Sequence, residues 1–369
     1  MKFTIDKATA QQVLQKAYGI TGKKSNIPIL SHVLVETSER GKVVFSATDL
    51  DLSFRIEVEA EIEEDGRTTI PAKKLLDILR EIPQSLISFE LTEDDRMTVK
   101  AGRATFKLAI ISADQFPYFN FPTQLDCISC SASTLSKAIL KTLHVIPLED
   151  DPFSIAGLFW QPVGSENLRL VASDGHRLVY QQIPVPNLDK LGIGNGVTVP
   201  RKGIQELAKI LDKKDEIAIA LDESRLIFRS ENLYFSTQLL QEEFPNYDAI
   251  IPDKRSNSLI ADREEFYLAL RRMAVLTDQK WKHVKLKIHD NVLELSTGNP
   301  ELWQGQDILD IEQDGDDLEI AFNIKYLLDT IQVMESEKIR FEWVDRFHGG
   351  IFLEPEDPGY FALIMPIIV

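Results

Sequence analysis

Short runs of alternating apolar and polar residues dominate the chain, and six stretches leave that rhythm for helical spacing. The alternating runs predict strands, because residues two apart share one face of an extended chain. The stretches 7–17, 72–81, 132–145, 201–214, 262–273 and 323–336 predict helices. In 132–145, Leu135, Ile139 and Leu143 form an apolar stripe, with Lys137, Lys141 and His144 across from it. In 201–214, Ile204, Leu207 and Leu211 face inward, and Lys202, Lys209 and Lys213 face solvent.

One strand-to-helix junction occurs three times. An alternating run meets Pro71, Pro200 or Asn323, a Lys follows two positions later (Lys73, Lys202, Lys325), and an apolar stripe at helical spacing comes next. Pro in a first helical turn and Asn at an N-cap are favoured helix starts. Further segments keep the same register: Thr48-Asp49, Ser173-Asp174 and Thr297-Gly298 each end a strand in a polar turn, and Phe106, Phe235 and Phe361 open a third set. A period this long predicts three similar mixed domains in tandem. The predicted limits are 1–120, 126–247 and 248–369, with polar, Pro-containing linkers at 120–126 and 247–257.

The 369 residues are 44% apolar, enough for a core in each third. No run approaches the roughly 18 apolar residues of a membrane span, and the start lacks a signal-peptide core. Two cysteines, Cys127 and Cys130, exclude a disulfide scaffold and predict a reducing cytoplasm. Three apart in a strand, they point to opposite faces, and no second pair completes a zinc site, so no metal is expected. Gly192-Ile-Gly194-Asn-Gly196 lacks the lysine of a phosphate-binding loop, so no cofactor is expected either.

Charge is unevenly shared. The chain carries −17 overall, yet the six predicted helices hold 16 Lys and Arg against 9 Asp and Glu. The remainder holds 25 against 49. Basic helices on an acidic body suit a protein that touches DNA on one restricted surface. The final residues, Ala362 to Val369, are apolar, and Pro366 interrupts strand pairing there, which predicts an apolar partner patch. Two other classes were weighed. A hydrolase would use Asp49, Asp51, Asp174 and His176, but Asp-Gly more often makes a tight turn, and the third copy has Thr297-Gly298 there. A repeat scaffold without DNA is the other.

Ordered motifs across the whole chain resemble the bacterial sliding clamp family, the β subunit of DNA polymerase III. They are Met1-Lys-Phe-Thr, Ile27-Pro28-Ile29-Leu30, Ala47-Thr48-Asp49-Leu50, Ala172-Ser-Asp-Gly-His-Arg-Leu178, Val199-Pro200-Arg-Lys-Gly203, Phe244-Pro245, Asn299-Pro300-Glu301 and Met365-Pro366. The resemblance implies an α+β fold of three clamp domains, and a head-to-tail homodimeric ring with helices lining the hole and sheets outside. It implies a non-catalytic processivity factor in the cytoplasm that encircles duplex DNA without reading its sequence. Its partners would be the replicative polymerase α subunit, the clamp loader and other proteins carrying a short clamp-binding peptide.

The resemblance also assigns residues. The peptide cleft would take Ile155, Ser173, Gly175, His176, Arg177, Leu178 and Pro245 from the second domain. The third would add Ile250, Trp281, Phe347, Leu363, Ile364, Met365 and Pro366, with Arg177 helping to orient the peptide. By the motif match Lys24, Arg201 and Lys202 would face DNA, and the basic helices add Lys73, Lys137, Lys141 and Lys209 to that face. Between subunits, Phe106 and Leu108 would meet Val275 and Leu276, with Lys74 and Arg103 opposite Glu301 and Asp307 at the rim. The chain departs from the family at Ala249 and Ile368, where relatives can carry arginine, and in the acidic loop 148–152.

Overall fold

The computed structural model describes residues 1–22, 26–38, 41–92, 94–117, 119, 122, 125–149, 154–211, 216–253, 255–277, 282–299 and 302–368. Lys24, Trp281 and Glu301, named above for the DNA face, the cleft and the rim, lie outside them, as do Lys213 and residues 150–152 of the acidic loop.

Six helices stand among the described residues: α1 (Lys7–Ile20), α2 (Ala72–Glu81), α3 (Ala132–Leu143), α4 (Arg201–Ile210), α5 (Arg263–Ala274) and α6 (Ile324–Gln332). Their starts fall within one residue of the sequence reading, because the caps are written locally. Asp6 accepts a hydrogen bond from the Thr9 amide at 2.9 Å, Asp262 from Glu265 at 2.8 Å and Asn323 from Lys325 at 3.0 Å. The two prolines are exceptions: Pro71 and Pro200 each end a strand, paired with His32 and Gly157, immediately before α2 and α4, and neither is a first-turn residue. The ends moved more. α1 runs three residues past 17, α3 stops at Leu143, α4 at Ile210 and α6 at Gln332.

The chain divides into two compact units. The first contains Met1–Ser133, Asp189–Ile193 and Lys202–Leu239. Its five-stranded antiparallel sheet runs, in spatial order, Glu61–Glu64, Lys2–Asp6, Leu86–Thr92, Arg96–Ala101, Ala104–Ala109. Its eight-stranded sheet runs Ile128–Ser131, Glu216–Asp222, Arg225–Arg229, Leu233–Gln238, Leu52–Glu59, Lys42–Thr48, His32–Ser38, Arg67–Pro71. α1 packs on α2 and touches strands of both sheets, so Val13, Leu14, Ala17, Leu75 and Leu79 are buried. Each large apolar side chain removed from water there contributes about 1.5–3 kcal/mol.

The second unit contains Thr134–Leu188, Gly194–Arg201 and Leu240–Val369. Its nine-stranded sheet runs Val197–Pro200, Gly157–Val163, Asn167–Ser173, Arg177–Pro184, Asp357–Ile364, Gly350–Glu354, Lys338–Trp343, Asn257–Asp262, Glu312–Asp314. A four-stranded sheet runs Trp303–Asp310, Val292–Asn299, His283–His289, Leu318–Asn323. α5 packs on α6 here as α1 does on α2. In each unit one sheet passes from one third of the sequence into another without a break. Leu52–Ile56 pair with Leu233–Thr237 in the first, and Arg177–Gln181 with Tyr360–Ile364 in the second. The stretch 247–257 is not a plain linker, because Tyr247 is buried and a 3-10 turn, Asp248–Ile250, follows it.

Candidate peptide groove, cationic surface and open sheet edges

The crossing in the second unit makes the groove. The strands Asn167–Ser173 and Arg177–Pro184 join through a tight turn in which side chains do the work of a backbone ladder. Asp174 Oδ1 accepts from the amides of His176 (3.1 Å) and Arg177 (3.0 Å), and the Ser173 hydroxyl donates to the Arg177 carbonyl at 3.1 Å. Gly175 sits at φ 79°, where a side chain is strained. The final residues dock beside this turn: the Met365 amide donates to the His176 carbonyl and the Ile367 amide to Ala321, at 2.9 and 2.7 Å.

A groove of about 240 Å³ opens between turn and tail. Ile155, Ser173, Gly175, His176, Arg177, Pro245, Ile250, Leu363 and Met365 line it, all of them read from the sequence. Ser154, Phe244, Asn246 and Tyr247 line it too, and the sequence reading assigned them no part in the cleft. The floor is aromatic and apolar. Phe244 stacks on Phe159 with centroids 5.0 Å apart, and Tyr247 packs with Leu178, Phe361 and Leu363.

Several expected cleft residues do something else. Leu178 and Ile364 are fully buried, and Leu178 packs beneath the floor with Tyr247 and Leu363. Pro366 does not line the groove, and Phe347 borders a second groove of about 630 Å³ with Ile367 and Ile368. Arg177 is part of the wall, with little freedom to orient a ligand. Its guanidinium donates to Asp174 (2.9 Å), Asp329 (3.1 Å) and the His144 carbonyl (3.1 Å), and lies over the Tyr326 ring. His176 stacks on that ring from the turn.

Behind Arg177, both His144 ring nitrogens are buried without a hydrogen-bond partner. The reading that put His144 on an open face is therefore corrected. Burial first, then the Arg177 charge, push its pKa down to about 3. The folded chain thus requires neutral imidazole. That contribution is complete above the ordinary value of 6.5 and is lost as pH falls from there toward 3. Urea unfolding at pH 6.5 and pH 5 should show the wild type losing about 1.6 kcal/mol more over that interval than His144→Leu. Parallel losses would contradict the assignment.

The DNA-facing set divides. Lys73, Lys137, Lys202 and Lys209 are exposed. Lys137 pairs with Glu335, Lys202 with Asp49 and Lys209 with Glu206, and Lys73 has no ion pair among the described residues. The Lys137–Glu335 pair is exposed on both sides and contributes about 0–1 kcal/mol, whereas Asp49 and Glu206 are largely buried beneath the exposed ammonium groups of Lys202 and Lys209. Lys141 does not belong to the set. It is 5% exposed and held by Glu354 and, at 2.8 Å, Asp357. Burial opposes its charge, but the hydrogen bonds to Asp357 and Glu354 keep its pKa above the usual lysine range. Arg201 is half-buried and caps the end of α3 through the carbonyls of Leu143 and Ile146, so it too is withdrawn.

Each unit also ends a sheet in an uncovered edge. In the first, Ala104–Ala109 has a neighbour on one side only, with Phe106 and Leu108 half-buried between exposed Thr105, Lys107 and Ala109. Arg103 and Lys74 are exposed in the same unit. In the second, Trp303–Asp310 is the edge, and Val275 and Ile308 near it are 81% and 58% exposed. Asp307 is not free for a partner's lysine, since Arg272 holds it at 2.6 Å. Unpaired edges with apolar side chains invite strand pairing with another chain.

Two of the three acids in the hydrolase reading, Asp49 and Asp174, are engaged in turns, while Asp51 is exposed. Asp49 binds the amides of Asp51 and Leu52 as Asp174 binds those of His176 and Arg177, so both carboxylates are occupied in building turns. Cys130 is buried, with its thiol pushed up to about 12, and Cys127 is exposed, the opposed faces that strand alternation predicts.

The fold is that of the sliding clamps. The clamp structures from Pseudomonas aeruginosa and Bartonella birtlesii, each described as bound to griselimycin, superpose with TM-scores of 0.91, at 30% identity and full coverage of both chains. The curated beta sliding clamp of Vibrio cholerae is 31% identical over 373 residues, covering all of both chains. Family models for the N-terminal, central and C-terminal domains of the DNA polymerase III beta subunit match residues 1–121, 130–246 and 248–368. The chain belongs to the DNA polymerase III beta subunit family, the bacterial sliding clamps.

Proposed function

We propose that two copies of this chain close head to tail into a ring around duplex DNA and tether replication proteins to it. The corresponding clamp domains are 1–120, 126–247 and 248–369. The edge Ala104–Ala109 of one copy pairs with Trp303–Asp310 of the other, burying Phe106 and Leu108 against Val275 and Leu276. Lys73, Lys137, Lys202 and Lys209 face phosphate, and the duplex is held by topology more than by affinity. The protein has no catalytic role and works in the cytoplasm, as replication factors do.

The observation that supports tethering most strongly is the 240 Å³ groove between the Ser173–Arg177 turn and the tail. It is small, apolar-floored and open, which suits one or two Leu or Phe anchors of a linear peptide. The replicative polymerase α subunit and the clamp loader would compete for it. Two anchors, less ordering costs, give affinity on the order of micromolar, weak enough for exchange.

Fluorescence anisotropy with duplexes of unrelated sequence tests the DNA face. Binding should be weak, indifferent to sequence and steeply salt-dependent. Changing Lys73, Lys137, Lys202 and Lys209 to Glu should lower the salt slope by about one unit per lysine that meets a phosphate. An unchanged slope, or a preferred base sequence, would rule this face out.

A further inference from the structure

The second groove, about 630 Å³, lies on the other side of the tail from the first. Met365 lines one groove, and Ile367 and Ile368 line the other. Extended chain rises about 3.3 Å per residue, so two residues of tail, about 7 Å, separate the two linings. The backbone bond from Ile367 to Ala321 fixes this shared wall. The floor beside it includes Trp343 and Phe347, and the far rim is acidic.

The charges on that rim are unequally satisfied. Glu319 is neutralised by Lys285 at 2.9 Å, and Asp345 accepts from His348 at 2.8 Å. Asp316 and Asp317 are exposed and have no ion pair among the described residues. Arg346, the other cation of the lining, lies over the Phe347 ring. Among the described residues, Asp316 and Asp317 are therefore the rim carboxylates without a basic or histidine side chain as partner.

We infer that this groove receives the continuation of the peptide held in the first groove, and that it selects a basic segment next to the apolar anchor. The inference rests on the peptide reading of the first groove and adds a chemical preference to it. Apolar contacts with Ile367, Ile368 and Phe347 take the aliphatic stems of lysine or arginine, while Asp316 and Asp317 meet their charged ends.

The test uses full-length protein and three labelled peptides with one common Leu- and Phe-containing core: the core alone, the core extended by three lysines, and the core extended by three glutamates. Affinities are measured by fluorescence anisotropy at about 50 and 300 mM salt. Wild type should bind the lysine form about five-fold more tightly than the glutamate form, with the gap narrowing at high salt. Asp316→Asn with Asp317→Asn should erase most of the gap and leave the core peptide's affinity unchanged. Glu61→Gln with Asp65→Asn, an equal change of net charge in the first unit, should preserve it. Equal gaps in both double variants would mean that overall charge causes the preference, and would overturn the inference. So would the absence of a gap in wild type while the core still binds. Failure of the core peptide to bind wild type would instead overturn the first-groove reading, and this inference with it.

Discussion

Deleting Met365 to Val369 is expected to weaken binding of a Leu- and Phe-containing linear peptide by about a hundredfold, equivalent to about 3 kcal/mol. The deletion removes Met365 from the groove lining and the two backbone bonds that hold the tail to His176 and Ala321. It spares Leu363 and Ile364, which are fully buried and paired with Leu178 and Arg177, so the nine-stranded sheet should remain. Calorimetry with the peptide measures the loss, and thermal unfolding checks the fold. Undiminished affinity in a folded truncation would show that the groove is not the peptide site.

Replacing Leu108 and Leu276 together with Ala should convert a two-chain particle into single chains at micromolar concentration. Both side chains are only half-buried within one chain, so the substitutions should cost the isolated fold little. In the proposed dimer they are central, where an apolar side chain contributes most. Rim charges matter less, because exposed pairs are worth about 0–1 kcal/mol and Asp307 already has Arg272 as its partner. Light scattering on both proteins decides it. A single-chain mass for the wild type, or a two-chain mass for the double variant, would refute the assembly.

The legible parts of the chain were those written in local rules. Asp6, Asp262 and Asn323 cap helices through bonds spanning two or three residues, and those helix starts were read to within one position. The Asp49 and Asp174 turns were legible for the same reason. Helix ends were harder, since no glycine or proline follows Ile210 or Gln332 closely enough to mark a stop.

Long-range partners could not be read from periodicity. Lys141 lies across from the apolar stripe of α3, as a solvent-facing lysine would. It is buried because Glu354 and Asp357, more than two hundred residues away, meet it there. His144 and Arg177 show the same limit, being joined only in the folded second unit. Tyr247 was read as linker because its neighbours are polar. Its ring nevertheless fills the core beside Leu178 and Leu363, and its hydroxyl bonds Gln161. The Phe244-Pro245-Asn-Tyr247 run, an aromatic pair around a proline, was the available signal for that anchor.

Retention on DNA of defined topology tests the central claim most directly. The protein is loaded onto a nicked circular duplex by a relative's clamp loader and ATP. It is then passed over a sizing column at about 150 mM salt, where free exchange with phosphates is largely screened. A closed ring should travel with the circle and be released when a single restriction cut makes the DNA linear. Equal retention on circular and linear duplex, or loss from both, would contradict the sliding-clamp account.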